Sequence, residues 1–345
     1  MERRELARFL EKYGVPGFHA HQIFRWLYAR GEFHPEKWTD LSKRLRARIA
    51  ADAVVEPGRI ADRSRAADGT VKYLVELPGG SAVETVFMEQ AGRQTLCLSS
   101  QCGCALDCDF CLTGKMGFVR HLEAGEIAGQ VALVRREGKL SGESCNVVFM
   151  GMGEPLHNYD AVLSAFRLLA DREGFGLARR RITLSTSGLA PAIERLAKEP
   201  ARPRLAVSLN ATTDELRDRI MPINRKYPIE RLFEACRFFA RTTDEDFTLE
   251  YVLLAGVNDS DDDVGRLARL IRSLPAKLNL IPFNAVPGRL PYRSPAKHRI
   301  IGIRDRLLRA GLRVSIRWSR GADARAACGQ LALPLAGGLR GENEP

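Results

Sequence analysis

At 345 residues, with 45% hydrophobic and 28% charged side chains, the chain has the composition of a folded protein with one large core and room for a smaller appended domain. Its 53 Lys and Arg outweigh 42 Asp and Glu, and the net charge of +11 favours a polyanionic partner, nucleic acid first. No apolar stretch approaches the ~20 residues of a membrane span, and no apolar segment follows the charged start Met1-Glu2-Arg3-Arg4-Glu5 as a secretory signal requires, so the expected location is the cytoplasm.

Taken in chain order, the first fifty residues predict helices. Leu6, Phe9, Leu10 and Tyr13 share one face; Ile23, Trp26 and Leu27 share another, with Gly31 as a stop; Leu41, Leu45 and Ile49 mark a third. The third helix carries Lys43, Arg44, Arg46 and Arg48 on its other side, which suits RNA phosphates as well as plain solvent. Residues 1–52 are therefore expected to be a helical RNA-binding accessory domain. Residues 53–93 read as a β-hairpin linker or extension, with strand-like runs either side of the turn pair Asp68-Gly69 and again after Pro78-Gly79-Gly80.

From about residue 94 a strand–helix rhythm begins. Strands are expected at 95–99, 145–150, 181–185, 204–209, 247–254, 277–282 and 312–317. Helices are expected at 123–137, 158–171, 189–198, 228–242, 260–273 and 295–310. The strands are mostly continuous apolar runs such as Val147-Val148-Phe149-Met150, as in a parallel sheet covered on both faces. Six βα units and a last strand predict an α/β fold, a partial (β/α)6 barrel over 94–333, followed by a loose tail at 334–345.

Four of the eight cysteines, 102, 104, 108 and 111, fall within ten residues, which favours metal or catalytic chemistry over a disulfide framework. Cys104-x3-Cys108-x2-Cys111 follows the first barrel strand. Three thiolates can hold three irons of a [4Fe–4S] cluster and leave the fourth open, whereas clusters that only shuttle electrons carry four cysteines. A structural zinc site with Cys102 as fourth ligand is the rival, and it would make the chain a non-enzymatic RNA-binding module. Gly151-Met152-Gly153-Glu154-Pro155 follows the second strand, where a glycine loop lets backbone approach a ligand and a carboxylate can receive an ammonium. No ligand pair emerges from His19, His21, His34, His121, His157 and His298.

The CxxxCxxC loop at the start of a βα barrel resembles the radical S-adenosylmethionine (SAM) superfamily. Ser99-Ser100-Gln101, the GMGEP stretch, Arg181-Ile182-Thr183-Leu184-Ser185-Thr186-Ser187-Gly188, Pro222-Ile223-Asn224, Asn279-Leu280-Ile281-Pro282-Phe283-Asn284 and Ala326-Ala327-Cys328-Gly329-Gln330-Leu331 are similar to the RlmN/Cfr RNA adenine methyltransferases, in the same order, over roughly 5–333. The resemblance implies a [4Fe–4S] cluster on Cys104, Cys108 and Cys111, two SAM per turnover, and SAM contacts at Gly153, Glu154, Ser185, Ser208, Leu209, Asn210 and Asn284. It makes Cys328 the cysteine that is S-methylated, Cys97 the second catalytic thiol and Glu84 the general base. It also implies 23S rRNA and tRNA as substrates, an electron donor such as flavodoxin or ferredoxin, and a monomer. Carbon 2 of adenine is the expected target, by an RlmN-type reaction through a covalent RNA–protein intermediate. Cys102 stands where RlmN members often have Val, so Cfr-type carbon-8 methylation is the alternative. One departure is visible: Ser208-Leu209-Asn210 replaces the family's Ser-Leu-His, which would spare a backbone contact to SAM but not a role for imidazole.

Overall fold

The computed structural model describes residues 1–138, 140 and 145–332; the expected tail at 334–345 and the last barrel residue, 333, lie outside them. The chain starts with helices α1 (Arg3–Glu11), α2 (Phe18–Phe24), which runs into a π-helical turn at Arg25–Ala29, and α3 (Lys43–Asp52). Leu6, Leu10, Tyr13, Ile23, Leu41, Leu45 and Ile49 are buried, so the expected faces point inward. Gly31 ends the second segment with φ of +63°, a left-handed turn that costs glycine nothing. Ser42 caps α3, its hydroxyl accepting the Leu45 N–H, and Lys43, Arg44 and Arg48 stay exposed on the far side.

Three strands, β1 (Arg59–Arg65), β2 (Val71–Glu76) and β3 (Ala82–Gln90), form an antiparallel meander. The meander is continuous with the barrel: β3 pairs antiparallel with β4 (Arg93–Leu98), Val86 opposite Cys97. The hairpin region is thus an extension of the main sheet, and its third strand carries Glu84 beneath the C-terminal loop that holds Cys328. After β4 a short ribbon of β5 (Gln101–Gly103) and β6 (Phe118–His121) brackets the cluster motif and the one-turn helix α4 (Leu112–Lys115).

The barrel then alternates: α5 (Ala124–Arg136), β7 (Asn146–Phe149), α6 (Tyr159–Ala170), β8 (Ile182–Thr186), α7 (Ala190–Ala197), β9 (Arg204–Ser208), α8 (Asp214–Ile220), α9 (Ile229–Thr243), β10 (Phe247–Leu253), α10 (Asp261–Ile271), β11 (Ala276–Pro282), α11 (Lys297–Arg309) and β12 (Val314–Ile316). From β4 to β12 neighbouring strands pair in parallel, in chain order. β12 pairs with β11 alone among the described strands, so the sheet curls without closing, as six βα units and a last strand require. Apolar strand positions such as Val147, Phe149, Leu184 and Leu249 are fully buried under the helices, while Thr183, Ser185, Glu250 and Asn279 alternate onto the concave side. The concave side is therefore polar and open at one edge, which leaves space for ligands.

Helix α8 was not expected from the sequence. It is only seven residues long and mostly charged, DELRDRI, so it shows no apolar period; Thr213 starts it by accepting the Leu216 N–H.

Candidate active site

The ends of β7, β8, β9, β10 and β11 converge with the cysteine loop on one cavity. Cys108, Cys111, Gly153, Glu154, Ser185, Ser208, Asn210, Asn284 and Cys328 all line it. It opens at the C-terminal ends of the parallel strands, where such folds place their chemistry because loops there are free to vary. Residues spread over more than two hundred positions are thus brought to one mouth.

Two glycines are required by space. Gly151 faces the Leu98 carbonyl, and a Cβ there would sit 2.7 Å from it. Gly153 has φ of +97°, and a Cβ would fall 2.5 Å from the Gln101 side chain, whose Oε1 accepts the Glu154 N–H at 2.7 Å. Gly153→Ala is expected to push this loop into the cavity and, if the cavity holds the SAM that the resemblance implies, to weaken SAM binding by about tenfold or more, with a small loss of thermal stability. Calorimetric titration of SAM into the reconstituted variant checks this, and wild-type affinity would refute it.

Glu154 is buried, and its carboxylate accepts the N–H groups of Leu156 at 3.0 Å and Ser187 at 2.7 Å. Burial still raises its carboxyl above the ordinary range, because two backbone donors do not replace full hydration. A ligand ammonium would complete its partners. Ser185 donates its hydroxyl to Glu250 Oε2 at 2.7 Å. Asn210 adopts φ of +56°, a conformation asparagine tolerates better than most residues. Its side chain is engaged by Val252 N–H and Met221 Sδ, so what it can offer a ligand is backbone, as the replacement of the family histidine suggested. Leu209 is not brought into the cavity: it is fully buried, and its N–H and carbonyl are bound by Glu250 O and Arg217 Nε.

The loop that carries Cys328 is stapled on two sides. Asn284 Nδ2 donates to the Cys328 carbonyl at 3.0 Å and Gln330 Nε2 to Ala285 O, tying it to the end of β11. Leu112 N–H donates to Gly329 O at 2.9 Å and Thr113 Oγ1 to Leu331 O at 2.6 Å, tying it to the cluster helix. Cys328 stands in a wall shared with a second cavity at the open edge of the barrel, lined on its far side by Cys97, Arg93, Asn146, Arg317 and Trp318. Cys97 is 6% exposed, and burial, reinforced by the nearby Cys328, pushes its thiol up to about 12.

Glu84 lines neither cavity. It is buried beneath the same loop, with Oε1 2.7 Å from Lys72 Nζ and its other oxygen in no more than a loose contact with the Ala332 backbone. Burial raises its carboxyl despite the lysine. Cys102 points away from the other three cysteines, toward Ser81 and Arg120. Cys145 and Cys236 are buried in the core. Arg179, Arg180 and Arg181 form a turn at the start of β8, the opposite end of the barrel from the cavity. His121 and His157 do meet, with ring centroids 5.4 Å apart at right angles beside Phe118, as an aromatic cluster.

Three charged side chains at or beside the cavities were missed by sequence reasoning. Glu250 is a lone carboxylate in the apolar strand Phe247–Leu253, and that isolation was its signal. Arg317 follows the last strand with no local cue. Arg217 sits in the unrecognised α8, wholly buried, donating to Leu209 O, Asn224 Oδ1, Ser187 O and Ser208 O.

Residues 1–55 match the family model of the ribosomal RNA large subunit methyltransferase N-terminal domain, and residues 98–268 match that of the radical SAM superfamily. A dual-specificity RNA methyltransferase RlmN from Geobacter sulfurreducens is 48% identical over 95% of this chain and 89% of its own length. One from Anaeromyxobacter sp. is 46% identical over 95% and 88%.

The chain belongs to the RlmN family.

The RlmN fold is also seen in a crystal structure of a radical SAM methyltransferase from Sphaerobacter thermophilus, 44% identical, with a TM-score of 0.91 over 96% of this chain and 97% of that one. As a radical SAM enzyme, this RlmN-family member uses a [4Fe–4S] cluster and SAM. Its residues fit both. Burial pushes the Cys104 thiol up to about 12, with Glu154 and Cys111 adding to it; burial and neighbouring cysteines raise Cys108 as well. Thiols packed together in a dry site ionise only beside concentrated positive charge, which iron supplies. Among the described residues no three His, Cys, Asp or Glu side chains are placed to hold a single metal ion. A cubane takes one thiolate per iron, so its ligands need not share one point. The cavity that Cys108 and Cys111 open onto, with Glu154 at its wall, has the polar and apolar lining a nucleoside amino acid needs.

Proposed function

We propose that this chain methylates carbon 2 of an adenine in 23S rRNA, and of an adenine beside the tRNA anticodon, through a methylated Cys328 and a covalent RNA–protein intermediate. The observation that carries the mechanism is the position of Cys328 between the SAM cavity and the cavity holding Cys97. When bound, the cluster on Cys104, Cys108 and Cys111 supplies the electron that cleaves SAM. Gly153, Glu154, Ser185, Ser208, Asn210 and Asn284 hold SAM at the strand ends. Cys328 accepts a methyl group on sulfur; cleavage of a second SAM takes one hydrogen atom from it, and the methylene so formed bonds to the ring carbon. The ring regains its aromaticity by returning one electron to the centre that supplied it and giving up its proton, for which Glu84, beneath the Cys328 loop, is the base.

Cys97 then closes the cycle. Its thiolate attacks the Cys328 sulfur, so that an S–S bond forms and the bond from sulfur to the methylene carbon breaks. The bonding pair stays on that carbon, which takes a proton and becomes the methyl group. The two thiols have been oxidised by two electrons, and an external dithiol must reduce the disulfide before the next turnover.

Around this centre we assign residues 1–52 as the RNA-binding accessory domain, 53–93 as the hairpin extension and 94–333 as the catalytic barrel. The enzyme works as a monomer in the cytoplasm, with a flavodoxin or ferredoxin as electron donor. Among the described residues no helix is long and apolar enough to cross a membrane. Nucleoside mass spectrometry on RNA from a deletion strain tests the reading. Loss of 2-methyladenosine from rRNA and tRNA is expected. Loss of 8-methyladenosine instead would reassign the target carbon, and unchanged RNA would overturn the activity.

A further inference from the structure

The release step asks for a thiolate from Cys97, whose surroundings oppose it. Cys97 lies inside the sheet on β4; beside it are the Met150 backbone N–H, which hydrogen-bonds to its sulfur, and the side chains of Cys328 from the C-terminal loop, Glu250 from β10 and Arg317 from beyond β12. Cys328 and Glu250 both disfavour a second negative charge, and Arg317 is the one cation among the three. Arg317 is fixed from several sides. Its N–H donates to Leu280 O at 2.9 Å, and Nη1 lies 3.2 Å from Met150 Sδ and 3.4 Å from Glu250 Oε1. The other oxygen of Glu250 is held by Ser185 from the SAM cavity. Cys97, Cys328 and Arg317 line the same cavity, with Met150 in the wall it shares with the SAM site.

We propose that Arg317 is a positioning residue for the release step: its guanidinium, anchored by Glu250, is the counter-charge under which Cys97 becomes the attacking thiolate. The proposal rests on the reading of Cys97 as the releasing thiol. An arginine suits the task because its planar, multi-donor head can face Glu250 and the cavity at once, while the counter-charge itself is one a lysine can also carry. With 31% of its side chain exposed, Arg317 keeps part of its hydration while meeting buried sulfur. Glu250 orients it and also tempers it, since a carboxylate at 3.4 Å offsets part of the positive charge.

The test is the rate of iodoacetamide alkylation at Cys97 in the reconstituted holoenzyme, read by peptide mass mapping from about pH 7 to 11. Below the midpoint this rate follows the thiolate fraction. At one fixed pH, Arg317→Gln is expected to slow alkylation by about tenfold or more, and Arg317→Lys to retain most of the wild-type rate. Glu250→Gln keeps an acceptor for Arg317 but removes the opposing charge, so alkylation should be faster by several-fold. Coincident profiles for wild type and Arg317→Gln would overturn the proposal, as would Arg317→Lys falling as far as Arg317→Gln. If Arg317→Gln does not fold, an unchanged rate in Glu250→Gln overturns it on its own. Adenine methylation assayed in parallel separates the two readings: wild-type protein with the expected alkylation pattern but no methylated adenine would refute the activity and leave the thiolate assignment standing.

Discussion

Cys97→Ala protein should purify with RNA covalently attached through Cys328. The substitution spares the SAM cavity, because Cys97 lines only the second one, so addition to the ring still proceeds. What is lost is the nucleophile that breaks the thioether. With RNA held covalently across the cavity, bulk thiols reach the thioether poorly, and multiple turnover should fall by about a hundredfold or more. Denaturing gels with nuclease treatment, and mass mapping of the Cys328 peptide, read the adduct directly. Cys328→Ala and the double variant should carry none, since no carbon can be delivered. RNA-free Cys97→Ala protein from cells that express it well would count against the role assigned to Cys97.

Arg217→Met should be the most destabilising single change near the site. The guanidinium is completely buried and holds four groups: the carbonyls of Ser187, Ser208 and Leu209, and the amide of Asn224. These belong to the ends of β8 and β9 and to the Pro222–Arg225 turn, so one side chain ties three loops around the cavity. Burial depresses its pKa to about 10, yet it remains charged at neutral pH. Methionine fills the space but takes the guanidinium donor from the Ser187 and Ser208 carbonyls and the Asn224 amide oxygen, while the Leu209 carbonyl keeps only the Ala211 N–H, at a cost of about 3–5 kcal/mol. Calorimetry should show a melting temperature lower by roughly 5–10 °C, with weaker SAM binding because Ser208 loses its anchor. A variant that melts within a degree of wild type would refute this account.

The two predictions differ in how far the sequence foretold them. Cys97 and Cys328 could be named from the chain because their motifs resemble those of a family with a distinctive reaction. Arg217 could not, because its importance lies in four partners that become neighbours only after folding, and its own helix has no apolar period. Glu84 is an intermediate case. The sequence places it on a strand of the hairpin region; the Lys72 partner and the position beneath the Cys328 loop follow from strand pairing and from the loop's return over the sheet.

What the sequence alone determined is what depends on short spacing. The seven parallel strands were legible because most are largely apolar runs at regular intervals, and the helices between them, α8 apart, because apolar residues recur with the helical period. The cluster loop was legible because three thiols at fixed spacing leave one iron open. Tertiary structure decided everything that depends on convergence. It placed Cys328 in the wall between two cavities, turned Leu209 and Cys102 away from the ligand groups, engaged the Asn210 side chain with Val252 N–H and Met221 Sδ and joined Glu250 to Arg317 beside Cys97. The physical reason is that a thiol's reactivity is set by the charges and solvent a few ångströms away, and those neighbours come from strands that are distant in the chain.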